Sequence, residues 1–518
     1  MVYFTVYTLD RQIDKLRLKT ILGYGLSSET GEEVNLAELA KSALQRKEKE
    51  YVPLVAVGKD ICHKCSGRKY IVTGSCESCI ARPCIYNCPK HCISRVDGKA
   101  KIDSSLCIRC GTCARVCPYN AIHKQMIPCE EACPVNAITK DAEGNSVINF
   151  ERCIHCGKCM VRCPFGAILM PSQVVDVCRE ICLHHRPVVG MLAPALLTQF
   201  ACTPAQLHNA LRAVGFAEMV EVAAGADVTS LMEAEEFLAH VGSGKQPLMT
   251  TSCCPSFYQA VHFHVPALAP FVSHTGSPMH YTAELVKRRS PDAFTVFLGP
   301  CVAKRAEGMR KPNVDAVLTA EELLCIFVAK GIDCTKMSKE DPRATRDASC
   351  EGTFYAVKEG VASAVKAAVG KAQARLEKHG GKHIDTLAGV LNQLETAATD
   401  ECSLKETPGN INPQQPSVSP APPPSSASSS SSSPNVEVKP FFISPLDRQM
   451  VAQLKKWGDN PTSCPYNLIE CMACDGGCVG GPGTIVQTNL GVARLKSIAP
   501  QRRAFDDIED VLSLEFKA

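Results

Sequence analysis

The chain has 518 residues, a formal net charge of +3 and 45% hydrophobic residues. This length allows two or three domains, and the balanced charge with ordinary apolar content argues against a disordered or nucleic-acid-coating protein. The unusual feature is the cysteine count of 31. Most of these cysteines fall in C-x-x-C or C-x-x-x-C-P groupings, a spacing typical of metal clusters rather than of a disulfide framework.

Targeting and membrane signals are absent from the sequence. The sequence contains no run of eighteen apolar residues, so it predicts no transmembrane helix. The stretch from Met1 to Asp10 has an early acidic residue and lacks the basic and apolar regions of a secretory signal. We therefore expect a cytoplasmic protein in a reducing compartment, with no membrane or nucleic-acid partner.

Residues 1–60 contain no cysteine. They combine β-branched runs such as Val2–Thr8 with a predicted helix near Leu36–Lys49. No chemistry can be assigned to them, and we predict a small cap or docking piece of unknown role.

Residues 61–170 form a predicted ferredoxin-like electron-transfer domain of α+β type. Two runs of the form C-x-x-C-x-x-C-x-x-x-C-P begin at Cys107 and Cys153. This is the bacterial ferredoxin spacing, in which the fourth cysteine of each run binds the other [4Fe–4S] cluster. The rule predicts two clusters, one held by Cys107, Cys110, Cys113 and Cys163, the other by Cys153, Cys156, Cys159 and Cys117.

Further cysteines in the same segment allow up to four clusters. The run C-x-x-C-x-x-x-x-C-x-x-x-C-P resembles one cluster unit of multi-cluster electron-transfer subunits and comprises Cys76, Cys79, Cys84 and Cys88. A fourth cluster would use Cys62, Cys65, Cys129 and Cys133, which leaves Cys92 over. The alternative for Cys62 and Cys65 with Cys76 and Cys79 is a zinc knuckle.

After Pro171 the pattern becomes that of an α/β domain, with strand-like runs alternating with helical ones. The predicted strands are Pro187–Leu192, Met219–Ala223, Pro247–Thr250, Ala293–Leu298 and Asp315–Leu318. The predicted helices are Pro204–Val214, Leu231–Val241, Thr282–Arg289 and Gln449–Trp457. A Ser/Pro-rich stretch at 407–436 is predicted to be disordered, so that it interrupts one domain made of residues 171–406 and 437–518.

Three stretches in this domain carry cysteines in distinctive surroundings: Thr251–Phe257, Gly299–Glu307 and Glu470–Gly483. The first two follow predicted strands, and ligands placed beyond the carboxyl ends of strands in an α/β sheet converge on one crevice. Glycines in the third stretch allow the backbone to approach a bulky inorganic cluster.

Together the three stretches resemble, in order and spacing, the three signatures of [FeFe]-hydrogenases, over roughly Arg186 to the C-terminus. Phe257, Gly299 and the Gly-Gly-Pro-Gly run at 480–483 depart from the best-studied members and resemble the subgroup called group B. The resemblance implies an α/β, iron-only hydrogenase-like catalytic domain whose H-cluster lies between two lobes, preceded by the α+β ferredoxin-like domain.

The resemblance also implies the ligands of the H-cluster, a [4Fe–4S] cluster bridged to a two-iron subcluster that carries CO, cyanide and a dithiolate. Its cubane would be held by Cys254, Cys301, Cys474 and Cys478, with Cys478 as the bridge. Lys304 would hold a cyanide, against the alternative of an exposed surface lysine. An apolar pocket would be completed by Pro255, Pro300, Ala303 and Met472. The cysteines that match no family ligand are expected to be inert thiols: Cys202, Cys325, Cys334, Cys350, Cys402, Cys464 and Cys471.

The same resemblance gives a proton path that begins at Cys253, a weak acid beside the cluster. The path is continued or supported by Glu233, Ser277, Glu236 and Glu307. The alternatives are that Ser230-x-x-Glu233 forms a helix capping box and that Glu236 lies on a solvated face. His240 stands where the best-studied members have an arginine at the outer end.

The resulting functional hypothesis is an iron-only hydrogenase that reversibly reduces protons to H2. Electrons would come from ferredoxin or a similar carrier, and hydrogenase maturation proteins would supply the cofactor. One alternative is an H2 sensor with low turnover. Another is a hydrogenase-like iron–sulfur assembly protein without the two-iron site, against which the joint presence of Cys253, Lys304 and Glu307 argues.

Overall fold

The computed structural model describes residues 2–26, 35–46, 53–65, 67, 69–340, 348–378, 436–502 and 504. Cys402 and residues 407–435 of the predicted Ser/Pro-rich insertion lie outside the described residues. The strands are β1 Ala56–Val57, β2 Lys69–Val72, β3 Ile93–Val96, β4 Lys99–Ile102, β5 Ile122–Gln125, β6 Ile138–Lys140, β7 Ser146–Ile148, β8 Ile168–Leu169, β9 Val188–Leu192, β10 Glu218–Glu221, β11 Met249–Thr250, β12 Phe294–Leu298, β13 Ala316–Leu318, β14 Pro440–Ile443 and β15 Leu468–Cys471.

The α-helices are α1 Val2–Ile21, α2 Leu36–Gln45, α3 Pro83–Tyr86, α4 Thr112–Arg115, α5 Pro128–Ala132, α6 Lys158–Arg162, α7 Val174–Arg179, α8 Pro204–Val214, α9 Val222–Phe237, α10 Pro255–His264, α11 Pro278–Arg289, α12 Val302–Arg310, α13 Ala320–Lys330, α14 Cys350–Phe354, α15 Gly360–Lys378, α16 Arg448–Asp459 and α17 Thr488–Ile498. None of the described helices combines the length and apolar character that a membrane span requires.

The N-terminal segment packs against the cluster-binding part. The β-branched run at its start belongs to α1, in which Leu16 is buried beside Ile61 and Ala167. The predicted helix near Leu36 is α2, and its N-cap Asn35 accepts a hydrogen bond from the Glu38 N–H.

The cluster-binding part is built from short antiparallel strand pairs and short helices. The pairs are β1 with β8, β2 with β5, β3 with β4, and β6 with β7. Between them, α3 to α6 carry or adjoin the cysteines of the ferredoxin-type runs. The α+β architecture expected for this part is therefore confirmed.

The first lobe of the α/β part contains a four-stranded parallel sheet in the order β10-β9-β12-β13. Every residue of β9 and β12 is buried, as expected for central strands of a parallel sheet that is covered on both faces. The predicted strand at Met219–Ala223 instead ends at Glu221, because α9 begins at Val222.

The second lobe contains a three-stranded parallel sheet in the order β11-β15-β14. Thr250 of β11 pairs with Ile469 of β15, and Phe441 of β14 pairs with the same Ile469. Segments from both sides of the undescribed stretch at 379–435 therefore share one sheet, and the loops after β11 and β15 start next to each other.

Helix α9 differs most from prediction, because it begins nine residues before the predicted start at Leu231. Ser230 lies in its interior and donates a hydrogen bond to the Ala226 carbonyl at 2.9 Å. The capping-box alternative for Ser230 and Glu233 is therefore wrong. After Phe237 the helix continues as a π-helical turn at Leu238–Gly242.

Candidate active site and cluster-binding residues

A cavity lies where the carboxyl ends of strands from both sheets meet. Residues that follow β9 and β12, such as Pro194 and Cys301, line one side of it. Residues that follow β11 and β15, such as Cys254 and Met472, line the other side. This is the position at which α/β sheets bind ligands.

Four cysteines from the three distant stretches line this one cavity: Cys254, Cys301, Cys474 and Cys478. Cys254 and Cys301 are the N-cap residues of α10 and α12, where the helix dipole favours negative charge. Burial and the neighbouring Cys254 thiol raise the pKa of Cys301 to about 11. Because metal ligation requires the thiolate, binding of a cationic centre would reverse that shift.

Glycines allow the loop around these cysteines to pack closely against neighbouring backbone. Gly477 has φ +97°, and a Cβ there would lie 2.7 Å from the Ala356 carbonyl oxygen. A Cβ on Gly481 would lie 2.7 Å from the Pro300 carbonyl oxygen. Side chains are therefore excluded at both positions.

The donor set fits an iron–sulfur cluster better than a single metal ion. In the described part of the chain, no three His, Cys, Asp or Glu side chains stand close enough together to hold one ion. A [4Fe–4S] cluster binds four thiolates, each at a different iron, which spreads the sulfurs around the cluster. Four soft thiolates around an apolar cavity match that requirement.

Lys304 is a buried lysine on α12 that lines the cavity, so the alternative of an exposed surface lysine is wrong. Its Nζ lies 2.7 Å from Glu307 Oε2. Burial alone would lower the pKa of Lys304, but the Glu307 carboxylate outweighs burial and the pKa is raised. The ammonium is therefore charged inside the site.

The wall of the cavity contains three of the four predicted apolar residues, Pro255, Pro300 and Met472. Ala303 is buried in α12 but lies outside the cavity lining. Gly299, which departs from the family pattern, is explained by packing: a Cβ there would lie 2.8 Å from Phe297 and 2.9 Å from Ala193. Phe297 itself lines the cavity and was not found from the sequence.

Cys253 lines the cavity and lies near the buried carboxyl of Glu233. Burial and that carboxyl raise the pKa of the Cys253 thiol. Glu233 Oε1 accepts a hydrogen bond from the Ser252 N–H at 3.1 Å, and Oε2 has no partner among the protein atoms. Burial raises the pKa of Glu233 to about 8, so this carboxyl is largely protonated at neutral pH.

Glu236, one helical turn after Glu233, is held by a loop rather than exposed on a solvated helix face. Its carboxylate accepts hydrogen bonds from Ser273 Oγ at 2.6 Å, from His274 Nδ1 at 2.9 Å and from Thr275 Oγ1 at 3.2 Å. Although burial acts to raise the pKa of Glu236, the hydrogen bonds from His274 and Ser273 leave it lowered.

Ser277, which the resemblance assigns to this path, contacts Glu307 rather than Glu236. Ser277 caps α11, and its hydroxyl donates a hydrogen bond to Glu307 Oε1. The serine that contacts Glu236 is Ser273. Ser277 therefore belongs to the Lys304–Glu307 pair. Tyr355, which lies outside the three signatures, lines the cavity, and its hydroxyl lies 2.9 Å from Ser230 Oγ.

The ferredoxin-type cysteines pair differently from the prediction. Burial raises the pKa of Cys84, and the nearby thiols of Cys117, Cys79 and Cys76 raise it further. A second pocket of thiols comprises Cys88, Cys92, Cys107, Cys110 and Cys113. The runs starting at Cys76 and Cys107 therefore exchange their fourth cysteines, Cys88 and Cys117, with each other.

The other cysteines form a second such unit. Cys133 lies near Cys153, Cys156 and Cys159. Cys129 lies near Cys163 and 3.5 Å from Ser146 Oγ, and the Ser146 N–H lies 3.5 Å from Cys62 Sγ. Cys65 packs against the core that contains Cys129 and Cys133.

These neighbours favour groups that differ from all four predicted cysteine groups. The structure instead favours one group with Cys62, Cys65, Cys129 and Cys163, and one with Cys133, Cys153, Cys156 and Cys159. Cys62 and Cys65 have neighbours different from those of Cys76 and Cys79, which argues against the zinc knuckle.

One of these groups adjoins the cavity. Cys156 lines the cavity together with Cys254. A Cβ on Gly157 would lie 2.7 Å from Pro482 of the third stretch and 3.2 Å from Val302 of α12. The two cysteine-rich regions are therefore in direct contact.

Within the described ranges, the cysteines without a family counterpart do not line the cavity. Cys471 is fully buried, as expected, and Cys334 is also buried. Cys202, Cys350 and Cys464 are only partly buried, and Cys325 is exposed on α13.

Two family models match the chain. The model for the C-terminal domain of the iron only hydrogenase large subunit matches residues 186–482, more than half of the chain. The 4Fe-4S binding domain matches residues 100–123 and 146–169.

Similar proteins carry corresponding names. The periplasmic [Fe] hydrogenase large subunit of Nitratidesulfovibrio vulgaris is 28% identical over 424 residues, covering 75% of this chain and 87% of that protein. Iron hydrogenase 1 of Clostridium pasteurianum is 26% identical over 432 residues, covering 76% and 67%. Among solved structures, a variant of apo [FeFe]-hydrogenase HydA1 from Chlamydomonas reinhardtii aligns with a TM-score of 0.42 and 17% identity, covering 67% of this chain and 94% of that one.

The resemblance inferred from the three stretches is thus confirmed by the family match over the same region. The chain belongs to the family of iron-only hydrogenase large subunits.

Proposed function

We propose that this protein is an [FeFe]-hydrogenase that reduces protons to H2 and oxidises H2 in the reverse direction. The observation that carries the proposal is the meeting of cysteines from three distant stretches with Cys253 and Lys304 in one cavity. When bound there, the H-cluster supplies the iron centre at which two protons and two electrons combine. Cys254, Cys301, Cys474 and Cys478 would hold it.

Lys304 would bind an anionic ligand of the two-iron subcluster. An ammonium has three N–H donors, and Glu307 uses one of them at 2.7 Å. The remaining donors can form a charge-assisted hydrogen bond to cyanide, which is strong in a dry site. Ser277 supports this arrangement by donating to the other oxygen of Glu307.

Cys253 and Glu233 would deliver protons. Because the pKa of Glu233 is raised to about 8, its carboxyl carries a proton that it can donate and recover near neutral pH. Cys253 lines the cavity near this carboxyl, where its thiol can donate its proton to the reacting centre and the resulting thiolate can recover a proton from Glu233. Glu236 and Ser273 lie on the outer side of Glu233 and can resupply it.

The cysteine groups of the N-terminal part would hold [4Fe–4S] clusters that carry electrons to the cavity through the group containing Cys156. The unit that contains the runs starting at Cys76 and Cys107 presents exposed apolar side chains: Ile80 is 95% exposed, Leu106 58% and Ile108 56%. Exposed basic residues such as Lys90 and Arg109 lie in the same unit. These features suit a small acidic electron carrier such as a ferredoxin.

The proposal is tested by maturing the protein anaerobically and measuring H2 from a reduced viologen donor by gas chromatography. Wild type should evolve H2, and Cys474→Ala should abolish it because the cubane loses a ligand. Cys471→Ala is the matched control, since Cys471 is fully buried but does not line the cavity. Absence of H2 production and H2 uptake in matured wild type would overturn the proposal.

A further inference from the structure

We propose that His274 is the surface end of the proton path, where protons enter from solvent before they pass to Glu236. This inference rests on the proposed function. The side chain of His274 is 77% exposed, whereas that of Glu236 is 15% exposed. His274 Nδ1 lies 2.9 Å from Glu236 Oε1, so one imidazole joins bulk water to a buried carboxylate.

The loop after Val272 fixes this contact from several sides. The backbone N–H of His274 donates to Glu236 Oε1 at 3.0 Å, and the hydroxyl of Ser273 donates to Oε2 at 2.6 Å. Because the backbone donor does not depend on the imidazole, the carboxylate stays in place when the side chain is changed. A loss of proton transfer can therefore be separated from a loss of positioning.

His240 is the alternative candidate for the surface group of the proton path. It lies four residues after Glu236, in the π-helical turn at Leu238–Gly242, at the position where the resemblance implies an arginine. The histidine that bonds the Glu236 carboxylate is instead His274, on the loop that packs against α9.

Electrostatics supports the assignment. The hydrogen bond to Glu236 raises the pKa of His274. The imidazole of His274 can therefore exchange protons with solvent close to neutral pH beside the Glu236 carboxylate.

The transfer balances in protons. Solvent protonates Nε2 of neutral His274, and the imidazolium then gives its Nδ1 proton to the carboxylate of Glu236. This leaves a neutral imidazole protonated at Nε2 and a neutral Glu236. Glu236 passes its proton inward, and rotation or solvent exchange of the exposed ring restores the starting tautomer.

The first experiment does not depend on H2 chemistry. Histidine labelled with 13C at Cε1 is titrated by NMR in protein that lacks the two-iron subcluster, and the His274 signal is assigned by its loss in His274→Gln. We expect a midpoint above that of an ordinary histidine in wild type and a fall of that midpoint in Glu236→Gln. A midpoint that Glu236→Gln leaves unchanged would overturn the inference.

The second experiment measures the pH profile of H2 evolution in the matured protein. His274→Gln should lower the rate about tenfold, a moderate loss for one proton-transfer group, and added imidazole should restore it. His123→Gln, which changes an exposed histidine of β5, is the matched control and should keep the wild-type profile.

Two outcomes separate this inference from the function on which it rests. An active wild type with an unaltered His274→Gln profile, or a loss and imidazole rescue confined to His240→Gln, would overturn the inference alone. A matured wild type that neither evolves nor consumes H2 would overturn the proposed function and this inference with it.

Discussion

Two carboxyls one helical turn apart, Glu233 and Glu236, experience opposite environments. Glu233 is fully buried, and its pKa is raised to about 8 mainly by burial. Glu236 is also largely buried, but hydrogen bonds from His274 and Ser273 lower its pKa. The inner group is thus a neutral acid and the outer group a carboxylate, an order that suits inward proton transfer.

This difference predicts opposite effects on stability in the protein without the two-iron subcluster. The contribution of Glu233 to the free energy of unfolding falls as pH rises from about 4.5 to about 8, because this carboxyl ionises freely only in the unfolded chain in that range. Glu233→Gln should therefore stabilise the protein at pH 8 to 9, by on the order of 2 kcal/mol.

Glu236→Gln should have the opposite effect and destabilise the protein. A carboxyl whose pKa is depressed in the folded state stabilises the protein at pH values above the ordinary carboxyl pKa. This stabilisation is lost as the pH falls through the folded-state pKa. The variant should be less stable at pH 7, with a difference that shrinks in acid. Thermal unfolding midpoints at pH 5, 7 and 9 measure the stability of both variants. Equal shifts of the same sign in the two variants would refute the opposite roles assigned to Glu233 and Glu236.

Cys253→Ser should reduce H2 evolution by two orders of magnitude or more, because a serine hydroxyl releases its proton far less readily than a thiol. Cys253→Asp should recover part of the activity, since a partly buried carboxyl can donate and accept near neutral pH. Infrared bands of the cofactor should persist in both variants. Wild-type turnover by Cys253→Ser would show that protons reach the cluster by another route.

Lys304→Ala should impair retention of the two-iron subcluster, since the variant leaves its anionic ligand unpaired in a site that excludes water. The cubane iron should remain, because Lys304 is not a thiolate ligand. The matched control is Lys287→Ala, which removes a half-buried lysine paired with Asp315 at 2.7 Å outside the cavity. Cofactor infrared bands of wild-type intensity in Lys304→Ala would contradict the assignment.

Among individual residues, the thiols and Lys304 could be located from the sequence, because their surroundings in the three stretches are distinctive. It did not distinguish Ser277 from Ser273, since both precede α11 and their roles differ only in which carboxylate they meet. Tyr355 and Phe297 could not be found, because they reach the cavity through the fold rather than through a motif.

Among the elements, the buried parallel strands were the most predictable. Continuous apolar runs such as Phe294–Leu298 are buried on both faces and therefore have few alternatives. The start of α9 was missed because Glu221 provides no side-chain cap and the apolar residues after it continue the pattern of β10.

The pairing of cysteine runs was also predicted wrongly, because two ferredoxin-type runs next to each other in sequence belong to different units. The structure joins Cys62 and Cys65 to a group with Cys129 and Cys163, an assembly from three separate segments. Spacing rules describe continuous runs and cannot reveal such a group.

The regrouping predicts which cluster each cysteine variant loses. Cys62→Ser and Cys163→Ser should diminish the same electron paramagnetic resonance signal, whereas Cys107→Ser should diminish a different one. Potentiometric titration of the dithionite-reduced variants resolves the signals. Loss of one common signal in Cys163→Ser and Cys107→Ser, with Cys62→Ser unaffected, would restore the pairing predicted from the sequence.

For the whole molecule, the proposed cysteine groups would hold four clusters in addition to the cubane in the cavity. Anaerobic reconstitution without maturation proteins should therefore load about five [4Fe–4S] clusters. Iron and sulfide analysis measures this content directly. A content of two clusters or fewer would contradict the multi-cluster arrangement.

The two α/β lobes, the preceding α+β part and the family were all predictable, because they follow from periodicity and motif order. The contact of Gly157 with Pro482 and Val302 was not, since it joins segments more than 140 residues apart. That contact places Cys156 at the cavity, as the proposed electron path requires.

The central claim is that the cavity between the two lobes holds the complete H-cluster. Infrared spectroscopy of the anaerobically matured protein tests it most directly, with protein reconstituted without maturation proteins as the control. We predict bands of metal-bound CO and cyanide in the matured sample alone, together with loss of these bands in Cys474→Ala. A matured protein that carries its [4Fe–4S] clusters but shows no CO or cyanide bands would contradict the claim and indicate an iron–sulfur protein without the two-iron site.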